Sequence, residues 1–224
     1  MNLKGIVFDG DGVLFDTEKL HVIAWKTIFK FHNIELTEDD FAEGVGVEDR
    51  VFLKNLKKKG KIKKIFKIEE LVSEKNKQLL KIVNKKNLGV SEETKKILKF
   101  LKNKYKIALA SNSEKKFVLK VLKISDIYKF FDLVITRNDV KKPKPFPDIY
   151  TEVSRKLKIP AKNIIAFEDS ETGIISAKSS GIFCVALPST QPLEKIKIAD
   201  IIIHKLSLNN VKKVIKIFEE KNES

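Results

Sequence analysis

Short apolar runs that end abruptly in polar residues recur along this chain and most limit what it can fold into. Six of these runs are predicted to be buried strands: 6–8, 107–110, 133–135, 164–167, 183–187 and 201–203. From about residue 90 they alternate with segments of helical period: 92–102, 114–122, 147–157, 172–180 and 208–219. Because such alternation is typical of parallel sheets, we predict an α/β, Rossmann-like fold, a mostly parallel sheet with helices on both faces.

Residues 16–87 interrupt this alternation and contain no convincing strand. Their apolar periodicity predicts three helices, at 20–31, 49–58 and 68–83. The simplest interpretation is a discontinuous catalytic core, 1–15 plus 88–224, that carries an inserted all-helical cap domain at 16–87. Two connections would join these domains, an arrangement that allows hinge motion between them.

Polar side chains follow the first, second and fourth predicted strands: Asp9, Asp11, Ser111, Asn112, Glu168 and Asp169. Ligands bind at the carboxyl edge of open α/β sheets, so these side chains are expected to converge there. Asp9 and Asp11 are two residues apart, which on an extended strand directs both to one face. Two carboxylates this close repel each other, so the site needs a cation or a shared proton.

The chemistry of these side chains suits phosphoryl transfer. Hard oxygen ligands, with no cluster of Cys and His, favour Mg²⁺. A carboxylate can attack phosphorus and carry it as an aspartyl phosphate, while a second carboxylate moves protons. Mg²⁺ and a lysine can neutralise the phosphoryl oxygens, and the proline-rich loop 142–148 offers Lys142 and Lys144.

Four motifs in this order resemble those of the haloacid dehalogenase superfamily. Residues 8–18, Phe-Asp-Gly-Asp-Gly-Val-Leu-Phe-Asp-Thr-Glu, resemble the first motif, Ser111 the second, Lys144 the third and Glu168-Asp169 the fourth. The resemblance extends over essentially the whole chain, including the helical cap after the first motif. It is greatest to the branch that contains β-phosphoglucomutase and small-metabolite phosphatases. The first motif of the dehalogenases lacks a second aspartate, so the presence of Asp11 implies that phosphate esters are the substrates.

The resemblance implies the following roles for the acidic residues. Asp9 would be the nucleophile, and Asp11 the general acid and base. Mg²⁺ would be bound by Asp9, by the backbone carbonyl of Asp11 and by Asp169, with Glu168 in or beside its coordination shell.

The resemblance also implies how the phosphoryl group is held. Ser111 and Lys144 would contact its oxygens, with Asn112 as a further substrate contact. Lys142 also precedes a proline and is an alternative to Lys144. The sequence from Lys144 onward, Lys-Pro-Phe-Pro-Asp-Ile-Tyr, resembles the family's loop more closely.

The cap is expected to choose the substrate. Residues 43–50 form a cap loop that resembles the family's substrate loop. The candidate substrate contacts are Gly46 and Arg50 in this loop and His21 on the first cap helix. Mutase relatives carry a basic pair in this loop, but here the matching positions hold Glu43 and Val47, which cannot bind a dianion. Arg50 could take their place if the loop is shifted relative to the mutases. We therefore expect a phosphomonoester hydrolase acting on a small phosphorylated metabolite, a sugar phosphate, with a sugar-phosphate mutase as the alternative.

The net charge of +15 raises a third hypothesis, a nucleic-acid-binding module. Such proteins usually read bases and phosphates with arginine, whereas this chain has only Arg50, Arg137 and Arg155 and spreads its lysines along its length. A solvated, lysine-rich surface is therefore the preferred interpretation.

Two further features bear on where the chain works. Cys184 is the single cysteine, so no intrachain disulfide can form, which suits a reducing compartment. The longest apolar run, 182–187, is far shorter than the ~20 residues of a membrane span. We expect a cytoplasmic monomer that does not bind membranes.

Overall fold

Six parallel strands form one sheet within the part of the chain that the computed structural model describes, residues 2–45, 47–84, 88 and 90–221. The strands are β1 (Gly5–Phe8), β2 (Lys106–Ser111), β3 (Leu133–Thr136), β4 (Ile164–Glu168), β5 (Phe183–Ala186) and β6 (Ile201–Ile202). Their order is β3-β2-β1-β4-β5-β6, and every neighbouring pair is parallel. The first strand of the chain therefore lies in the middle of the sheet, between β2 and β4.

Helices cover both faces of this sheet because successive strand residues point to opposite sides. Ile6 and Phe8 of β1 belong to one hydrophobic core, and Val7 belongs to another. The first core is completed by α5 (Glu92–Lys102), α6 (Lys115–Ile124) and α10 (Leu208–Glu220). The second is completed by α7 (Asp148–Leu157), α8 (Glu171–Ser179) and α9 (Leu193–Ile196). Burial on both faces explains why the strands are continuous apolar runs.

Four helices lie between β1 and α5 in the chain: α1 (Glu18–Phe31), α2 (Glu38–Ala42), α3 (Asp49–Lys58) and α4 (Ile68–Ile82). They enclose their own hydrophobic cluster, in which the rings of Trp25 and Phe29 stack at 5.0 Å. α1 and α4 pack against each other, and Leu20 and Leu79 on these helices join the core of the sheet. The insert is therefore all-helical among the described residues, and its two long helices connect it to the sheet.

The predicted fold class is confirmed, and each predicted strand overlaps an observed one. Differences occur at element ends: α1 begins at Glu18 rather than at residue 20. The helix α2 was not predicted, because five residues are too few to show a helical period. Thr37 and Asp40 begin this helix by exchanging hydrogen bonds as a capping box. The domain boundaries at 15/16 and 87/88 stay predictions, and residues 85–87 lie outside the described part of the chain.

Across the described residues, each helix is too short or too polar to cross a lipid bilayer.

The stacked pair of Phe8 and Phe167 joins β1 to β4 at the centre of the sheet, with ring centroids 5.0 Å apart and both side chains buried. We expect Phe167→Ala to lower the free energy of unfolding by about 3–5 kcal/mol, because it leaves a cavity in a packed core. Phe31→Ala is the matched control, since Phe31 is 76% exposed, and it should change stability by at most about 0.5 kcal/mol. Urea denaturation measures both, and equal losses would contradict this account of the core.

Candidate active site

The carboxyl ends of the three central strands bring the predicted site residues together. Asp9 directly follows β1, Ser111 ends β2 and Glu168 ends β4. Phe8 lies opposite Phe167 in the parallel ladder, and the Asp9 amide donates to the Phe167 carbonyl at 2.9 Å. Asp9 and Glu168 are therefore neighbours at the same edge of the sheet.

The buried ammonium of Lys144 ties these strand ends together. Its Nζ donates to Asp9 Oδ1, to Glu168 Oε1 at 2.6 Å and to the Ala110 carbonyl at 2.9 Å. Because an ammonium group has three protons, these bonds use its full donor capacity. The loop before α7 is thereby connected to β1, β2 and β4 through one side chain.

The two candidate lysines of this loop have different surroundings. Asn112 Oδ1 accepts the Lys144 backbone N–H at 3.0 Å, which anchors the loop at the end of β2. Lys142 is exposed, and its ammonium lies 4.8 Å from the centre of the Phe146 ring. Lys144, rather than Lys142, is therefore the lysine that the structure brings to Asp9.

Three buried carboxylates form a cluster that fits a metal ion. Oxygen atoms of Asp9, Glu168 and Asp169 all lie within 4.8 Å of one another. Glu168 Oε1 also accepts the Tyr150 hydroxyl at 2.5 Å, and Glu168 Oε2 accepts the Asp169 backbone N–H at 3.2 Å. An oxygen-only donor set of this kind suits Mg²⁺.

The electrostatics of the cluster favour an added cation. Burial raises the pKa of Asp9 well above its ordinary value, although the Lys144 ammonium opposes this. Burial, with the Glu168 carboxylate, raises the pKa of Asp169 to about 7. Burial acts to lower the pKa of Lys144, but the Asp9 and Glu168 carboxylates outweigh it and raise that pKa above its ordinary value. One ammonium does not balance three acids, and a divalent cation would favour their ionised forms.

The loop after β5 holds Asp169 in place. Thr190 Oγ1 donates to Asp169 Oδ2 at 2.5 Å, and Ser189 Oγ lies 3.3 Å from the same oxygen. Ser189 Oγ also donates to the Gly12 carbonyl at 2.6 Å, which links this loop to the turn after β1. Gly12 has φ +79°, and an added Cβ would lie 1.9 Å from Asp169 Oδ2, so this position requires glycine.

Asp11 lies beside a histidine from the cap. Asp11 Oδ2 accepts the Ser113 hydroxyl at 3.0 Å, whereas Oδ1 is buried without a hydrogen-bond partner among the described residues. His21 Nε2 lies 3.9 Å from that oxygen. Burial raises the pKa of Asp11 to about 6, and burial together with the Lys75 ammonium lowers the pKa of His21 to about 3. Among the described residues, Asp11 Oδ1 thus has no partner that would compete with a ligand for a hydrogen bond.

Lys75 on α4 is a cavity residue that was not predicted from the sequence. Its side chain is 1% exposed, and its ammonium lies 2.9 Å from both Asp49 Oδ2 and His21 Nδ1. Because Nδ1 then accepts a proton, the histidine carries its own proton on Nε2. The signal in the sequence is position: Lys75 lies midway between Leu71 and Leu79 on the apolar stripe of α4.

A cavity of about 120 Å³ lies between the cap and the sheet edge. Seven of the predicted site residues line it: Asp9, Asp11, His21, Arg50, Ser111, Asn112 and Lys144. Among the described residues, Glu168 and Asp169 are buried beside Asp9 and do not line the cavity. Gly46, a predicted substrate contact, lies outside the described residues.

The cap arginine in this cavity is held by acidic neighbours. Arg50 Nε and Nη2 each donate to Glu69 at 2.8 Å, and Nη1 donates to Glu48 at 3.0 Å. Glu43, one of the two positions where mutases carry a basic residue, pairs with Lys59 at 2.5 Å. Arg50 and Lys59 are therefore engaged with carboxylates of the cap.

Gly12 offers a test of the metal site. Gly12→Ala and Gly60→Ala both place alanine at positive φ, at a cost of about 1 kcal/mol each, but an added Cβ meets Asp169 only at Gly12 and nothing within 4 Å at Gly60. We expect excess Mg²⁺ to raise the melting temperature of the parent protein and of Gly60→Ala, but not of Gly12→Ala, because displaced Asp169 cannot bind the ion. An equal response of both variants in thermal denaturation would refute Asp169 as a ligand.

Comparisons with known proteins show the family of this chain. The family model described as haloacid dehalogenase-like hydrolase matches residues 6–187. A phosphorylated carbohydrates phosphatase of Thermotoga maritima is 34% identical over 182 residues, which are 80% of this chain and 82% of that protein. The β-phosphoglucomutase of Bacillus subtilis is 29% identical over 196 residues, 85% and 86% of the two chains. In fold, the chain is similar to a crystal structure of β-phosphoglucomutase from Clostridium difficile, with TM-score 0.82, 23% identity and coverage of 96% and 98%. The chain belongs to the haloacid dehalogenase-like hydrolase family.

Proposed function

We propose that this protein is a Mg²⁺-dependent phosphomonoesterase that hydrolyses a small phosphorylated metabolite, a sugar phosphate, through an aspartyl phosphate on Asp9. The observation that carries this proposal is the position of the Asp9 carboxylate, which lines the cavity, contacts the Lys144 ammonium and shares an oxygen cluster with Glu168 and Asp169. This gives a nucleophile access to a ligand and surrounds it with groups that balance phosphoryl charge. The name of the Thermotoga maritima relative supports the substrate class.

The reaction would proceed in two displacements at phosphorus. An Asp9 oxygen forms a bond to phosphorus while the bond from phosphorus to the ester oxygen breaks. Asp11, in its protonated form, gives its proton to the departing oxygen, so a neutral alcohol leaves. Asp11 then takes a proton from water as that water attacks phosphorus, the bond to Asp9 breaks, and inorganic phosphate leaves.

The surrounding residues would hold the transferring group. Mg²⁺ bound by Asp9, Asp169 and the Asp11 carbonyl, with Glu168 in or beside its shell, would neutralise charge on the phosphoryl oxygens. Lys144 would contribute a second positive charge. The Ser111 hydroxyl oxygen accepts the Ser113 backbone N–H at 3.0 Å, which leaves its proton for a phosphoryl oxygen. Asn112 acts by fixing the Lys144 loop and also lines the cavity.

Asp9→Asn removes the nucleophile while preserving its shape. We expect it to lower kcat for aryl phosphate hydrolysis by about 10³-fold or more, because the amide cannot form the covalent intermediate. Asp39→Asn is the matched control: Asp39 is an exposed carboxylate on the cap helix α2, outside the four motifs, and its loss should leave kcat unchanged. Release of inorganic phosphate, with Mg²⁺ and with EDTA, measures both; substantial activity in Asp9→Asn would sink the assignment.

A sugar-phosphate mutase is the second candidate, favoured by the similarity to β-phosphoglucomutase of Bacillus subtilis. A mutase must hold a second phosphate while the first reacts. Arg50, the cap arginine in the cavity, is bound to Glu69 and Glu48, and Glu43 is bound to Lys59. These contacts favour the phosphatase, because a second phosphate would have to displace carboxylates from their cations.

The two candidates differ in their products. With a hexose 1-phosphate and a catalytic amount of the hexose bisphosphate, we expect release of inorganic phosphate to exceed formation of the 6-phosphate by about tenfold or more. Phosphate analysis and chromatography of the sugar products measure this ratio. Isomerisation faster than hydrolysis would show that the mutase is the correct function.

We further propose that the enzyme acts as a cytoplasmic monomer and that its lysine-rich surface is a solvated face. Exposed lysines that pair with acidic groups of the chain itself support the solvated surface: Lys26 with Glu38, Lys59 with Glu43, and Lys129 with Asp126.

A further inference from the structure

Arg137 brings a cation from the core to the same cavity and has no role in the proposed mechanism. It follows β3, where the Thr136 hydroxyl and backbone N–H donate to Asp139 Oδ2 at 2.7 and 2.9 Å. Lys115 Nζ donates to the other oxygen of Asp139 at 3.0 Å, and Arg137 Nη1 donates to the Val140 carbonyl at 3.0 Å. The guanidinium is therefore held by its own loop, before any ligand binds.

One N–H donor of this guanidinium has no hydrogen-bond partner among the described residues. Arg137 Nε is buried and has no hydrogen-bond partner among the residues that the structure describes. Glu48 Oε1, from the cap, lies 4.0 Å away, which is beyond hydrogen-bond distance. Because buried donors in folded proteins are normally paired, this gap indicates a position for a ligand atom.

Glu48, on the cap side of the cavity, is also held in place by hydrogen bonds within its own segment. Its Oε2 accepts the backbone N–H groups of Arg50 and Val51 at 3.1 and 3.2 Å, which caps α3, and its Oε1 accepts Arg50 Nη1 at 3.0 Å. The side chain is 7% exposed and lines the cavity. A carboxylate oxygen has two acceptor positions, so Oε1 keeps one of them open.

We propose that Arg137 Nε and Glu48 Oε1 together bind one hydroxyl group of the leaving alcohol, and that the substrates are phosphate esters of polyhydroxy compounds such as sugars or sugar alcohols. The inference rests on the proposed function. A hydroxyl group accepts and donates, so it satisfies one open donor and one open acceptor. Its oxygen can lie about 2.9 Å from both atoms when those atoms are 4.0 Å apart.

Other groups fit this position less well. A second phosphate would bring negative charge against the Glu48 carboxylate, and like charges at this distance repel. A carbonyl oxygen would satisfy Arg137 but would leave the open acceptor of Glu48 unused. A site built to hydrogen-bond a hydroxyl discriminates strongly against ligands that lack it. The pair therefore selects for the hydroxyl-bearing part of the substrate, with one partner in the core and one in the cap.

Binding measurements test the pair without turnover. In the Asp9→Asn background with Mg²⁺, calorimetry gives the Kd of glycerol 3-phosphate, of a hexose 1-phosphate, of a hexose 6-phosphate and of inorganic phosphate, which lacks the leaving alcohol. We expect Arg137→Met to weaken binding of the tightest polyhydroxy phosphate by about 10- to 100-fold and that of inorganic phosphate by less than about threefold. Arg155→Met is the matched control, since Arg155 is an exposed arginine paired with Glu152, and it should leave every Kd unchanged.

Glu48→Gln provides a second variant, which keeps the side-chain size and should show the same selective loss. Equal weakening for all ligands, no weakening, or polyhydroxy phosphates that bind no tighter than inorganic phosphate would each overturn the inference. Kinetics with the otherwise unmodified enzyme separate it from the proposed function. Failure to hydrolyse both p-nitrophenyl phosphate and the sugar phosphates would refute the phosphatase, while the binding comparison would still decide the role of Arg137.

Discussion

The Lys144 ammonium lies where three strands and one loop meet, and its charge determines how the surrounding carboxylates can exist. It contacts Asp9 after β1, Glu168 at the end of β4 and the Ala110 carbonyl on β2. Removing one partner of a buried ion pair typically costs about 3–5 kcal/mol, because the other charge stays buried without compensation. The same contacts that stabilise the sheet edge therefore position the proposed nucleophile, and stability and chemistry cannot be separated at this point.

This arrangement also accounts for the need for a further cation. Asp9, Glu168 and Asp169 carry more acid than Lys144 can balance, and burial raises the pKa of Asp9 and of Asp169. Protons or a divalent cation can supply the missing positive charge. Within the proposed mechanism the divalent cation is the useful solution, because an ionised Asp9 is required for attack on phosphorus.

Local patterns allowed the sequence to predict the strands, the cap insertion and the residues at the strand ends. Apolar runs that end in Asp9, Ser111 and Glu168 are signals contained within a few residues. Lys75 and Arg137 were not identified, because their roles depend on contacts between segments far apart in the chain. Lys75 reaches His21 and Asp49, and Arg137 faces Glu48 across the boundary of cap and core. A single sequence shows that a lysine interrupts an apolar stripe, but it does not show which residue meets that lysine.

The position of β1 in the middle of the sheet has a consequence for how the chain folds. Gly5 pairs with Lys106 on one side and with Ile164 on the other. Both partner strands of β1 are therefore synthesised about 100 or more residues after it. Long loops must close before these contacts form, and such topologies fold slowly. The cap helices have their own hydrophobic cluster, so they can pack together during synthesis while β1 is still unpaired. The strand that precedes Asp9 is therefore synthesised before the other five strands of the sheet and enclosed only after its partners, so an unfinished chain lacks the sheet edge that positions the proposed nucleophile.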